Sequence, residues 1–320
     1  MDSRFPFFRL PLTAVKCSEE NVLKNMDIIE KLAFSLLSKR AKLVIRLLKL
    51  RPHYVRVNVG GLIGFEINFD DINQTVHLQF CTDTVLDIPK GITVNETESW
   101  RLPSSKMTMK DWLRHLRFIF RTTYITCFNF GFSLFDFDSI KKSFAPFEML
   151  FISENVPTNQ SIMLLKELLP RDLVLKPNSF EKHELRSILT QHIECFSYGR
   201  HEEPSDFALN DLLMCDAVFL NIIWPLDFTE NHMNRFLKLW KKGACPRLCM
   251  LEFSWVFVRN PENILKGINF KEVLEDRVIN WLIHGERMSI KGGYDIGGKD
   301  GRKCTVVVPS QFEVSFYFWD

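Results

Sequence analysis

Three kinds of site chemistry have some of their raw material in this 320-residue sequence, and spacing tests each of them. A phosphate-cradling loop needs clustered glycines that run into a helix, closing on Lys followed by Ser or Thr. Glycines cluster at Gly60-Gly61-Leu62-Ile63-Gly64 and again at Gly292-Gly293, Gly297-Gly298 and Gly301. The first cluster runs into the alternating Phe65, Ile67 and Phe69, the second into Val306-Val307-Val308, and Lys299 is followed by Asp300. Both therefore read as turns between strands. A structural zinc site needs two close pairs of Cys or His. Cys245 and Cys249 make one pair, with Cys215 upstream, but no second pair completes the set, and the 8 His are dispersed. These cysteines read as small buried hydrophobes. Asp136 and Asp138 alternate within Phe135-Asp136-Phe137-Asp138, which reads as the wet face of a strand or turn rather than an acid–base pair. There is no Gly-x-Ser-x-Gly elbow and no Cys in a recognised nucleophile context. No catalytic, cofactor-binding or metal residue is assigned, and an active site gathered from distant residues stays open as an alternative.

Charge and composition narrow the classes further. Lys and Arg number 41 against 39 Asp and Glu, a net charge of +2, which argues against bulk nucleic-acid binding. The balance is uneven, since residues 1–51 carry eleven basic and five acidic side chains. Within them Lys39, Arg40, Lys42, Arg46, Lys49 and Arg51 form a run without an acid. The run has no aromatic residue for base stacking, so it reads as a solvated helix face whose long stems cover apolar surface, not as a nucleic-acid surface. The 8 Cys are scattered through a long chain, as in reduced intracellular proteins rather than disulfide frameworks. Pro6, Arg9 and Pro11 break the opening apolar stretch, which excludes a clean signal peptide. The longest uncharged run, Thr122 to Phe135, is shorter than the ~20 residues a membrane helix needs. An intracellular protein of the cytoplasm or nucleus, without membrane attachment, is expected.

Four segments must position whatever the chain does. Residues 1–52 read as helical, with Leu32, Ala33, Leu36, Leu37, Leu43, Val44, Leu47 and Leu48 at three- and four-residue spacing and Pro52 as a stop. Residues 53–106 open with three runs alternating at period two (Val55 to Val59, Ile63 to Phe69, Val76 to Phe80), an antiparallel meander followed by a loop-rich stretch from 81. Residues 107–284 begin with a helix that Thr108 and Asp111 cap. From about 147, short apolar runs then alternate with helical stretches every 20–30 residues, the period of leucine-rich-repeat-like β/α units. The helix at Glu230 is the best defined, with Gly243 in the C-terminal cap position. A doubly wound α/β domain gives the same alternation and stays open. Residues 285–320 read as a β-rich close, with runs at Thr305–Val308 and Phe312–Trp319. The fold class is thus α+β or α/β.

The head resembles an F-box. The resemblance lies in Phe5-Pro6-Phe7-Phe8-Arg9-Leu10-Pro11, Val22-Leu23-Lys24-Asn25-Met26-Asp27, Ile29-Glu30-Lys31-Leu32 and Ser35-Leu36-Leu37-Ser38-Lys39-Arg40. Further on, Leu209-Asn210-Asp211-Leu212-Leu213-Met214-Cys215, the stretch from Thr229 to Trp240-Lys241-Lys242-Gly243, and Pro246-Arg247-Leu248 resemble the type-2 F-box-associated region of the expanded nematode-type family. So do Met107–Phe120 and the closing Gly293-Tyr294-Asp295-Ile296 with Asp300-Gly301. The resemblance implies an F-box over 1–52, an F-box-associated region over 107–284, and a non-catalytic substrate receptor of a Skp–cullin–F-box ubiquitin ligase. Its F-box would dock the Skp-type adaptor and through it a cullin, while the C-terminal region holds a target protein. The implied adaptor-binding residues are Leu10, Pro11, Val22, Leu23, Met26, Ile29, Leu32 and Leu36. Ser18-Glu19-Glu20-Asn21 add about one helical turn to the family spacing. They motivate the alternative of an interaction scaffold with a vestigial F-box.

Overall fold

The computed structural model describes residues 23, 25–69, 74–81, 88–95, 98–100, 107–122, 125–133, 135–153, 155–168, 170–176, 180–258, 260–283 and 286–319. The fold is mixed α/β, and the chain divides into two compact units, Met1–Glu148 and Met149–Asp320.

In the first unit, helix α1 (Ile28–Leu37) starts at a reciprocal capping box. The Glu30 N–H donates to Asp27 Oδ1 (2.7 Å), and the Asp27 N–H donates to Glu30 Oε2 (2.9 Å). Ser38 ends α1 and caps α2 (Lys39–Leu47) by accepting from the Ala41 N–H at 3.0 Å. The alternating runs form β1 (Tyr54–Val59), β2 (Ile63–Phe69) and β3 (Gln74–Cys81), antiparallel neighbours with every second residue buried. The stretch expected to be loop contains two further strands, β4 (Gly91–Val94) and β5 (Glu98–Trp100), which continue the sheet beyond β3. Four and three residues are too short for an alternation to register in sequence. Strand β6 (Ile125–Phe130) pairs parallel to β1 on the other side.

Helix α3 (Met109–Phe120) has the expected capping box at Thr108 and Asp111. It buries Trp112 against Phe80 (ring centroids 5.5 Å) and Phe120 against Phe69 (5.0 Å). Asp136, expected on the wet face of a strand or turn, is exposed, and its carboxylate accepts from the Ser139 N–H (3.0 Å) and caps α4 (Phe137–Phe144).

The second unit alternates strictly. Strands β7 (Phe147–Ile152), β8 (Asp172–Leu175), β9 (Cys195–Tyr198), β10 (Phe219–Ile223) and β11 (Met250–Ser254) lie side by side, and the described pairs of this run, β7–β8 through β10–β11, are parallel. The intervening helices are α5 (Thr158–Glu167), α6 (Lys182–Leu189), α7 (Leu209–Met214) and α8 (Glu230–Trp240), with α9 (Glu262–Leu265) after β11. The strand order never reverses, unlike that of a doubly wound sheet, and right-handed crossovers then place these helices on one face. On that face two in-register rows are buried. One is Leu150, Leu173, Phe196, Leu220, Leu251, the other Ile152, Leu175, Tyr198, Ile222, Phe253. Strand β15 (Glu313–Trp319) joins antiparallel to β11 and extends both rows with Phe316 and Val314. Strands β14 (Lys303–Ser310), β13 (Glu286–Gly297) and β12 (Lys271–Ile283) follow outward. The long β12–β13 hairpin has no counterpart in the periodicity, because Lys271, Glu272, Glu275, Asp276 and Arg277 mask any alternation.

The residue that follows β9 is Gly199, at φ 113°. A Cβ there would sit 2.2 Å from the Ile223 carbonyl oxygen at the end of β10. Gly199→Ala should therefore destabilise the fold by about 2–4 kcal/mol, read from the shift of the urea midpoint at constant slope.

Candidate functional site

The head is anchored to the first unit by a buried polar contact. Ser35 on α1 donates to the Leu32 carbonyl (2.6 Å), and its Oγ lies 2.7 Å from His115 Nε2 on α3. With the hydroxyl proton so committed, His115 is the donor and holds its proton on Nε2. Burial, reinforced by the cation of Lys42, pulls the imidazole pKa from 6.5 down to about 4, so the ring is neutral near pH 7. On α2 the Lys42 Nζ lies 4.7 Å and the Arg46 Cζ 4.2 Å from the centroid of the Phe118 ring. Two cations of the basic run thus cover an aromatic face, as the solvated-face reading anticipates.

Of the residues that the F-box resemblance singles out, Leu10, Pro11 and Val22 lie outside the described residues. Leu23 and Leu32 are buried, Leu32 completely. Met26, Ile29 and Leu36 are half-buried. Among the described residues of the head the exposed large apolar side chains are others: Leu37 is 70% exposed, Leu43 47% and Leu47 48%. Ala41, Val44 and Ile45 fill the inward side of α2, while Leu43 and Leu47, four apart, share the outward side. The sequence signal was present, since α2 is apolar on two sides, but periodicity alone merges the two stripes.

In the second unit the distal motifs acquire structural roles. Asp211 is fully buried. Its Oδ2 accepts from the Ala208 N–H (2.9 Å) at the start of α7 and lies 2.8 Å from Lys182 Nζ, while Oδ1 accepts from Arg186 Nε at 3.2 Å. One carboxylate therefore ties α6 to α7. Lys182 continues the network to the carboxylate and carbonyl of Asp206, which also accepts from the Tyr198 hydroxyl at 3.1 Å. Arg247 donates to the Asp216 carboxylate (2.8 Å) and carbonyl (3.0 Å), joining the segments that lead into β10 and β11. Asn234 on α8 donates to the Ile264 and Lys266 carbonyls, both at 2.9 Å, and holds α9. Gly243 takes φ 101° just past α8 and donates to the Trp240 carbonyl (2.8 Å), the expected cap. Burial pushes the Cys215 and Cys245 thiols up, Cys245 to about 11, so both are protonated near pH 7.

The sheet's other face carries the rows Met149, Asp172, Cys195, Phe219, Met250 and Phe151, Val174, Ser197, Asn221, Glu252. A shallow groove of about 190 Å³ runs over it, smaller than the ~300–1,000 Å³ of most ligand clefts. Among the described residues the Asn221 side-chain oxygen has no hydrogen-bond partner, and burial, with Glu313 nearby, raises the Glu252 carboxyl pKa.

Residues 184–253, from α6 through β11, match the family described as "F-box associated". The chain is similar to the "F-box associated domain-containing protein sdz-33" of Caenorhabditis elegans, 25% identical with 76% of each chain covered. No solved structure matches. Among the described residues, no helix is long and apolar enough to cross a membrane.

Asp211→Asn keeps a cap acceptor but removes both ion pairs, and should cost about 1–2 kcal/mol in urea unfolding. Replacing Lys182 and Arg186 together by Met leaves a buried carboxylate uncompensated and should cost more, about 3–5 kcal/mol. His115 supplies a pH signature. Its folded pKa lies below its unfolded one, so its contribution is complete above about 6.5 and is lost as pH falls toward about 4, some 3 kcal/mol in all. Urea midpoints for the wild type should drop between pH 7.5 and 5 by more than those of His115→Gln.

Proposed function

We propose that this protein is the substrate-recognition subunit of a Skp–cullin–F-box ubiquitin ligase. The match of residues 184–253 to the F-box-associated family carries the reading. Three features support it. The head presents Leu37, Leu43 and Leu47 to solvent, apolar surface of the kind a partner helix covers. The sequential parallel strands repeat every 20–30 residues, in line with leucine-rich-repeat-like units that present one continuous face to a protein target. That face holds only a shallow groove. The receptor performs no chemistry itself and needs no cofactor; it raises the effective concentration of its target beside the ubiquitin-loaded enzyme. It acts inside the cell, in the cytoplasm or nucleus, and engages neither nucleic acid nor membrane.

A second reading, an interaction scaffold with a vestigial F-box, is favoured by one observation: Leu23 and Leu32 are already covered by their own chain. Capture of a purified Skp-type adaptor by the full chain separates the two. In a receptor, Leu43→Asp with Leu47→Asp weakens capture at least about tenfold while leaving the far-ultraviolet circular dichroism intact. Capture that is absent in the wild type and appears on deleting residues 18–21 establishes the scaffold reading instead.

A further inference from the structure

The ends of the parallel strands carry a feature that adaptor docking does not use. The residue directly after β9 is Gly199, after β10 Trp224 and after β11 Trp255, and all three have positive φ (113°, 45° and 59°). Left-handed backbone suits glycine and strains a tryptophan. Such outliers persist only where the surroundings impose them, and they cluster at functional sites. Here the strain turns two large rings out of the sheet and lays them side by side, centroids 6.5 Å apart at 29°. Phe312 lies 6.3 Å from Trp255 and 5.9 Å from Phe257, and His201 stands 5.5 Å from Trp255. Trp255 is 52% and Phe257 54% exposed. Beside them a cavity of about 390 Å³ is lined by Trp224, Leu226, Phe228, Glu230, Trp255 and Phe257. Carboxyl ends of parallel strands are where open α/β sheets place their ligands.

The charges around this patch decide what fits it. Glu230 lines the cavity, where its carboxylate accepts from the Asn260 N–H at 3.3 Å, and Asp227 is exposed in the turn between Leu226 and Phe228, two residues that also line it. Arg200, the cation described on this rim, is already paired with Glu203 and Glu202. Aromatic faces beside the carboxylates of Glu230 and Asp227 attract a cation twice over, through the ring quadrupoles and through Coulomb attraction. The same carboxylates oppose an anionic lipid surface.

We propose that this strand-end patch docks a basic polypeptide segment, with an arginine or lysine side chain lying over Trp224 and Trp255. In calling that segment part of a target protein the assignment rests on the receptor reading; the binding itself does not involve the head. The test is fluorescence anisotropy of a fluorescein-labelled peptide of alternating Arg and Ser titrated with the full chain, against Gln–Ser and Glu–Ser peptides. The Arg–Ser peptide should bind saturably, the Gln–Ser peptide at least about tenfold more weakly, and the Glu–Ser peptide not at all. Trp255→Gly removes one ring where glycine suits the backbone, so the fold should persist while affinity falls about three- to tenfold. Asp227→Lys with Glu230→Lys reverses the rim without touching a ring and should weaken binding comparably, which keeps the test decisive if Trp255→Gly unfolds. Equal affinity for the Arg–Ser and Gln–Ser peptides, or unchanged affinity in the rim variant, overturns the proposal. So does binding to phosphatidylserine vesicles in place of the peptide, or Trp255-dependent dimerisation. Adaptor capture measured on the same samples keeps the readings apart. A chain that captures adaptor but ignores the peptide retains the receptor role and loses this site, and the converse result removes the receptor role alone.

Discussion

The second unit depends on the register of its parallel strands. Leu150, Leu173, Phe196, Leu220 and Leu251 lie opposite one another across five strands, and Phe316 closes the row from β15. A slip of one residue in any strand would turn its half of both rows to the wrong face. Because the register holds, Trp224 and Trp255 fall opposite each other just past β10 and β11, and Gly199 just past β9 falls opposite Ile223, the last residue of β10. A glycine there lets the backbone of β10 approach, and two tryptophans there become neighbours.

Helix placement is the complementary constraint. Apolar faces seat the helices on the sheet but do not fix their rotation or their spacing along the strands. Polar ties supply that: the Asp211 carboxylate between α6 and α7, Asn234 reaching beyond α9, and Arg247 between two strand entries. In the first unit the Ser35–His115 contact does the same for α1 and α3. Buried polar contacts of this kind are costly when half made, which makes them selective for one arrangement.

Much of this architecture was legible in the sequence. The alternation from about residue 147 anticipated that β7 to β11 take turns with helices, because each strand is buried on one face and each helix on one stripe. The cap at Thr108 and the meander from Tyr54 were readable for the same reason. The candidate sites were less so. Leu32 and Leu43 are the same residue type at helical spacing, yet one faces inward and the other outward, a difference set by partners far away in sequence. The left-handed turn at Trp224 and Trp255 leaves no compositional trace, since tryptophan is not a turn residue. Asp136 looked like half of an alternating pair until the helix it caps was in view.

The outermost strand of the second unit, β12, runs from Lys271 to Ile283 with one long side next to no described strand. A free row of main-chain donors and acceptors of that length is a template on which further copies can stack into fibres. Two register shifts, at Val273/Asp276 and Ile279/Leu282, break its regularity, and Lys271, Glu272, Glu275, Asp276 and Arg277 crowd its first half with charge. Irregular pairing and charge together make this margin a poor seed for such stacking.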